Sequence, residues 1–179
     1  SISPDENVLA IRTITQFRTI AMRYAAKNGY DYILVDVSPS LGLLNRAIIT
    51  SCDAFFMPAT PDLFSMYGIR NIGQALNKWK KSYISLYNSV NPQLRELFSP
   101  DFVKFVGYTI YNARGRKDQP LGLARAHRSF AECIPEEITK WISKEEIPKC
   151  LQSKIEQSIG GDAVWASHNT YPAMAQKYK

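Results

Sequence analysis

YDYILVDVSPSLG, Tyr30 to Gly42, runs directly into LLNRAIITSCDAFFMPATPD, Leu43 to Asp62, and the reading of this stretch decides the fold class. Tyr32 to Val37 is apolar and rich in β-branched residues, broken by one acid, Asp36, and followed at once by a Ser-Pro-Ser-Leu-Gly turn. A run of that length bounded by turn residues predicts a buried strand. An acid at the carboxyl end of such a strand faces the crevice where open α/β sheets bind ligands. A carboxylate fixed there can hold a water-coordinated magnesium ion beside a nucleotide phosphate. The competing reading is an acid that only ends a strand and caps the next helix.

Working outward, Pro39 and Gly42 first restrict and then free the backbone, and Ser38 or Ser40 is placed to cap a helix over Leu43 to Ser51. Asp53 to Met57 predicts a second strand, stopped by Pro58. Thr60-Pro61-Asp62 opens a long helix to about Lys81, with Met66, Ile69, Ile72, Leu76 and Trp79 as its buried stripe. Upstream, Ile11, Ile14, Phe17, Ala21 and Tyr24 predict an amphipathic helix from Val8 to Asn28, closed by Asn28-Gly29. Arg12, Arg18, Arg23 and Lys27 lie off that stripe, as a solvated face or a DNA-contacting one. Strand, short helix, strand, long helix is the order of a parallel sheet with right-handed crossovers.

Downstream, Tyr83, Leu86, Tyr87, Val90, Leu94 and Leu97 predict one or two helical segments interrupted at Asn91-Pro92. Phe102 to Tyr111 predicts a third strand, left through Asn112-Ala113-Arg114. RGRKDQPLGLARAHR, Arg114 to Arg128, holds Arg114, Arg116, Lys117, Arg125 and Arg128 against a single acid, Asp118. Such a segment can track a phosphate backbone without reading sequence, or it can be a solvated loop. A helix is expected over Glu136 to Ile142, after Ile134-Pro135, and Gly160-Gly161 is a break.

Composition narrows the classes. A chain of 179 residues, 45% hydrophobic and 21% charged, supplies one folded domain with a full core. The net charge of +6 favours an acidic partner, nucleic acid first and anionic membrane second. Cys52, Cys133 and Cys150 have no C-x-x-C spacing, which argues against a zinc site or a disulfide framework. Two histidines, His127 and His168, without paired spacing suggest neither a metal site nor a His-based nucleophile. No run approaches the length of a membrane span and no signal-peptide pattern opens the chain, so a cytoplasmic location is expected. No G-x-G-x-x-G follows a strand, which removes support for flavin- or nicotinamide-dependent enzymes.

The ordered run from Tyr30 to Asp62 resembles the Walker B strand, switch loop, and next helix and strand of the ParA/MinD group of deviant-Walker P-loop ATPases. It looks most like the ParA/Soj-type partition ATPases, in which a strand ending in Asp leads to a Pro-Ser-Leu-Gly turn and later to a Pro-x-x-Pro-Asp loop. Those positions here are Asp36, Pro39 to Gly42, and Pro58 to Asp62. A weaker likeness joins Asn169 to Gln176 to a piece near the end of some larger ParA-like ATPases.

The resemblance implies an α/β fold, a parallel β-sheet flanked by helices of the P-loop NTPase kind. It implies ATP and Mg2+, with Asp36 holding the metal indirectly, through water. Ser38, Pro39, Ser40 and Gly42 would sense the terminal phosphate, and Asn112 would lie on the side of the base, the alternative for Asn112 being a turn with its own backbone. The implied partners are nonspecific DNA, met by the basic segment, a ParB-like protein, and a second copy in an ATP-bound homodimer associated with the nucleoid.

One expected part is missing. A P-loop needs G-x-x-x-x-G-K-[ST], whose amides and Lys cradle the phosphates, and none of the nine glycines here is followed by Lys. The family's acid-containing switch segment after the P-loop is absent too. Only 29 residues precede Tyr30 and the first is Ser. The expectation is therefore the carboxyl-terminal part of a longer ATPase, its sheet incomplete on the amino-terminal side, unable to hydrolyse ATP alone. Two further classes stay open: a non-catalytic ParA-like DNA- or protein-binding scaffold, and a MinD-like positioning ATPase, for which the final residues MAQKYK are too short to show an amphipathic helix.

Overall fold

The computed structural model describes residues 4–38, 40–99, 101–113, 125–152 and 164–165. In chain order the elements are α1 (Pro4–Asn28), α2 (Leu43–Ser51), β1 (Ala54–Ala59), α3 (Leu63–Ser89), α4 (Pro92–Arg95), β2 (Lys104–Ala113), α5 (Arg125–Trp141) and β3 (Val164–Trp165). β1 is hydrogen-bonded beside β2, and β2 beside β3. β2 and β3 run parallel, with Tyr111 opposite Val164 and Ala113 opposite Trp165. The class is α/β, as the strand–helix alternation of the sequence requires.

Two compact units divide the chain, Ser1–Phe55 with Ala75–Lys104, and Phe56–Gln74 with Phe105–Lys179. In the first unit, α1 ends on Gly29, whose φ of +68° is the left-handed value that glycine adopts without steric cost, and the Tyr30 amide returns to the Ala25 carbonyl. α1 packs on α2. Arg18, expected on a solvated or DNA-facing surface, is instead a structural tie. Its guanidinium donates to the Ser51 carbonyl at the end of α2 and pairs with Asp53 at 2.9 Å. Ser99 donates to the same Asp53 carboxylate, and the Lys104 amide to the Asp53 carbonyl.

The same unit holds an aromatic cluster. Tyr83 meets Phe98 and Phe102 edge-on, Tyr87 meets Phe98 edge-on, and Leu86, Val90 and Leu94 close around them. The interrupted apolar pattern of the sequence anticipates this set. Tyr83 donates its hydroxyl to the Ser99 carbonyl, and burial, with the neighbouring Tyr87 adding to it, pushes the phenol up to about 12. Asn91 caps α4 through the Leu94 amide, with Pro92 in the first turn. Arg95 donates to the carbonyls of Tyr87, Val90 and Asn88, satisfying acceptors that the end of α3 leaves open.

In the second unit the core is aliphatic. Ala131, Ile134, Ile138 and Ile142 recur at helical spacing through and just past α5 and are fully buried, with Ile69, Phe105 and Ile110 buried as well. α5 runs straight through Pro135, so the expected start at Glu136 is corrected to Arg125. A proline inside a helix costs about 3 kcal/mol, and the isoleucines buried on either side of it outweigh that. Gly73 lies against the Trp141 main chain, and a Cβ at position 73 would come within 2.4 Å of the Trp141 carbonyl oxygen. Trp141 is covered by two cations, with the Arg70 guanidinium 5.0 Å and the Lys140 ammonium 5.4 Å from the ring centroid.

Two strand limits also differ from expectation. β1 extends through Pro58 to Ala59, and β2 is shifted along to Lys104–Ala113. α2 keeps its expected bounds, while α3 runs on to Ser89 and buries Ile69, Leu76 and Trp79.

Candidate functional site

Tyr32 to Val37, expected as a buried strand, carries no strand pairing among the described residues. Tyr32 is 86% and Leu34 95% exposed. The apolar content was read correctly and its environment was not: a strand exists by pairing, and β1, β2 and β3 make up the sheet without this stretch. From Leu34 to Ser38 its exposure nevertheless alternates. Val35 and Val37 are half-buried while Leu34, Asp36 and Ser38 are exposed, the two-residue period of an extended chain. Asp36 and Ser38 therefore share the exposed side.

The turn after Asp36 is organised from α2. Asn45, 7% exposed, sits in the first turns of that helix. Its side-chain amide donates to the Ser38 carbonyl and hydroxyl at 2.8 Å each, to the Ser40 carbonyl at 2.8 Å and to the Ser40 hydroxyl at 3.1 Å. The two serine hydroxyls lie 3.3 Å apart, both on exposed residues. The expected capping of α2 by Ser38 or Ser40 does not occur. The cap residue is Gly42, in extended conformation and with no side-chain cap bond, because the serines are held by Asn45 instead. The Arg46 amide reaches the Gly42 carbonyl to start the helix.

Beyond β1, Asp62 lies just before α3 and caps it, accepting from the Ser65 amide at 2.9 Å. Burial raises the Asp62 carboxyl, but hydrogen bonds from the Ser65 amide, the Thr60 hydroxyl, the Phe64 amide and the Ser65 hydroxyl outweigh it, leaving a net lowering. Asn112 lies in β2. Arg125 is exposed at the start of α5, and Arg128 pairs with Glu132 one turn on at 2.7 Å. Pro39, Arg114, Arg116 and Lys117 lie outside the described residues. Asp36, Ser38, Ser40 and Gly42 are thus gathered into one short exposed turn.

Asn45 is the residue that sequence reasoning missed. Its signal was an asparagine in the first turns of a helix, where the amide favours local main-chain bonds over helix propagation. Among the described residues no cluster of three or more His, Cys, Asp or Glu side chains could hold a metal ion. A hydrated magnesium ion needs only one or two carboxylates, the rest of its shell being water and phosphate oxygen. A single exposed aspartate, two residues before Ser38 in the chain, fits that demand.

Residues 8–94 match the AAA_31 family model, described as an AAA domain. That segment includes Asp36, the serine turn and α2, β1 and α3. Over 71 residues the chain is 32% identical to the uncharacterized protein MJECL24 of Methanocaldococcus jannaschii, which takes in 40% of this chain and 25% of that protein. A crystal structure of protein DIP2308 from Corynebacterium diphtheriae is similar with a TM-score of 0.50 and 25% identity, over 81% of this chain and 51% of that one. The chain spans a quarter of the length of the curated relative and about half of the solved one. The likeness is to P-loop NTPase-like domains of the ATPase type, which in general use a nucleotide and Mg2+. Among the described residues no helix is long and apolar enough to cross a membrane.

Proposed function

We propose that residues 1–179 form part of a single ParA-like ATPase domain that acts in chromosome or plasmid partitioning through ATP-dependent dimerisation and nonspecific DNA binding. The observation that carries the reading is the turn just described: Asp36 and two serines held on α2 by Asn45, inside the segment that matches an AAA domain.

Asp36 would hold hydrated Mg2+, which when bound neutralises phosphate charge and draws the phosphate oxygens into line. The turn from Ser38 to Gly42 meets the terminal phosphate with hydroxyl and main-chain donors. Asn112 lies on the side of the base. Arg114, Arg116, Lys117, Arg125 and Arg128 meet the DNA backbone. The Arg128–Glu132 pair is partly exposed, and such helix-surface pairs contribute only about 0.3–0.5 kcal/mol, so a phosphate exchanges readily for the carboxylate. A ParB-like partner and a nucleoid-associated ATP-state homodimer complete the reading.

No glycine of this chain is followed by lysine, so hydrolysis is assigned to the complete protein and not to this chain alone. The test is Asp36→Ala in the complete product of the reading frame. Magnesium-dependent ATP binding and hydrolysis should fall by at least about tenfold, and wild-type values for the variant would remove the metal role. A ParA-like scaffold that binds DNA without nucleotide is the second reading, favoured by the +6 charge together with the missing Gly-Lys pair. Nucleotide-independent DNA binding by the complete protein would select it.

A further inference from the structure

The hydrogen bonds around Asn45 fix more than the shape of a turn. A side-chain amide nitrogen carries two hydrogens and has no acceptor capacity. Two of its four neighbours, the main-chain oxygens of Ser38 and Ser40, can only accept, so the nitrogen and not the amide oxygen must face the turn. The same nitrogen lies 2.8 and 3.1 Å from the two serine hydroxyl oxygens, so its two hydrogens are shared in three-centre bonds among the four oxygens, and it can accept from neither hydroxyl. Each serine must therefore direct its own hydrogen away from Asn45. The 3.3 Å hydroxyl–hydroxyl contact can use only one of those two hydrogens. At least one O–H is left as an outward donor on an exposed turn, two or four residues after Asp36.

A donor presented in this way suits a ligand made of acceptors. It gains nothing from a cation or an apolar group, and gains most from an anionic oxygen, because charge-assisted hydrogen bonds are about twice as strong as neutral ones. Resting on the nucleotide reading above, we propose that Asn45 is a positioning residue that polarises Ser38 and Ser40 as donors to the terminal phosphate of a nucleoside triphosphate, and so sets the preference for triphosphate over diphosphate. Asn45 touches no ligand itself. It acts by dictating which way two hydroxyls point.

Asn45→Asp separates this role from simple packing. The carboxylate has nearly the shape of the amide but only accepts, so both hydroxyls turn inward to it, and its two neighbouring carbonyls lose their donor. The readout is the equilibrium affinity for ATP and for ADP, each with Mg2+, in the complete protein. The variant should lower the ATP-to-ADP affinity ratio about ten- to a hundredfold, the range of one or two charge-assisted hydrogen bonds, while ADP affinity stays near wild type. Ser38→Ala/Ser40→Ala, which keeps the two main-chain bonds of Asn45, should lower the same ratio, and it carries the test if the aspartate variant fails to fold. An unchanged ratio, or equal losses for both nucleotides, overturns the role of Asn45 alone. A wild-type protein with no magnesium-dependent ATP binding overturns the nucleotide reading and this role with it.

Discussion

The stripe along α5 and the stretch at residues 30–44 are both rich in large apolar side chains, yet one is among the driest parts of the described chain and the other among the wettest. Ile134 and Ile138 are fully buried, whereas Leu34, Leu43 and Tyr32 stand in solvent. Hydrophobicity is the same in kind; what differs is geometry. A helix makes its main-chain hydrogen bonds within itself and needs only one neighbour for its apolar stripe. An extended segment makes none within itself, so without strands on its edges it gains neither main-chain bonds nor cover.

The contrast can be broken or sharpened by substitution, read in urea unfolding of this chain. Ile138→Ala should be the most damaging, costing about 3 kcal/mol from lost burial and the cavity left behind. Gly73→Ala comes next. Alanine gains about 1 kcal/mol in helix propensity, but its methyl group would overlap the Trp141 main chain, and overpacking of that kind costs about 1–3 kcal/mol. The net should be a loss of about 1 kcal/mol. Leu34→Ser should change stability by less than about 0.5 kcal/mol, as surface replacements do. A loss at Leu34 as large as that at Ile138 would mean that residues 30–37 are covered in solution, and the comparison would collapse.

The same contrast explains what the sequence disclosed. Elements whose evidence is local were legible: the bounds of α2, the buried stripe of α3 and the apolar set from Tyr83 to Leu94 follow from spacing and turn chemistry within a few residues. Elements decided by distant neighbours were not. Pro135 reads locally as a helix breaker, and only the burial of Ile134 and Ile138 keeps α5 intact across it. Arg18 reads as one more surface cation until Ser51 and Asp53, more than thirty residues away, come to meet it. At the candidate site, Asp36 and the serines were named from a resemblance carried by their order. Asn45 was not, because its importance lies in a convergence on two main-chain carbonyls, which have no letter in the sequence.

The exposed ribbon has a consequence for handling the protein. Proteases bind their substrates as extended chains and pair with the main chain of the segment they cut. Residues 31–37 offer that form, with no regular structure to be melted first. Chymotrypsin-like enzymes, which favour aromatic side chains and leucine, should nick beside Tyr32 or Leu34 well before they cut at Phe130 or Trp141 of α5, where the helix must open first. The cleavage would separate α1 from Asp36, so one early band on a gel would report whether this ribbon is bare.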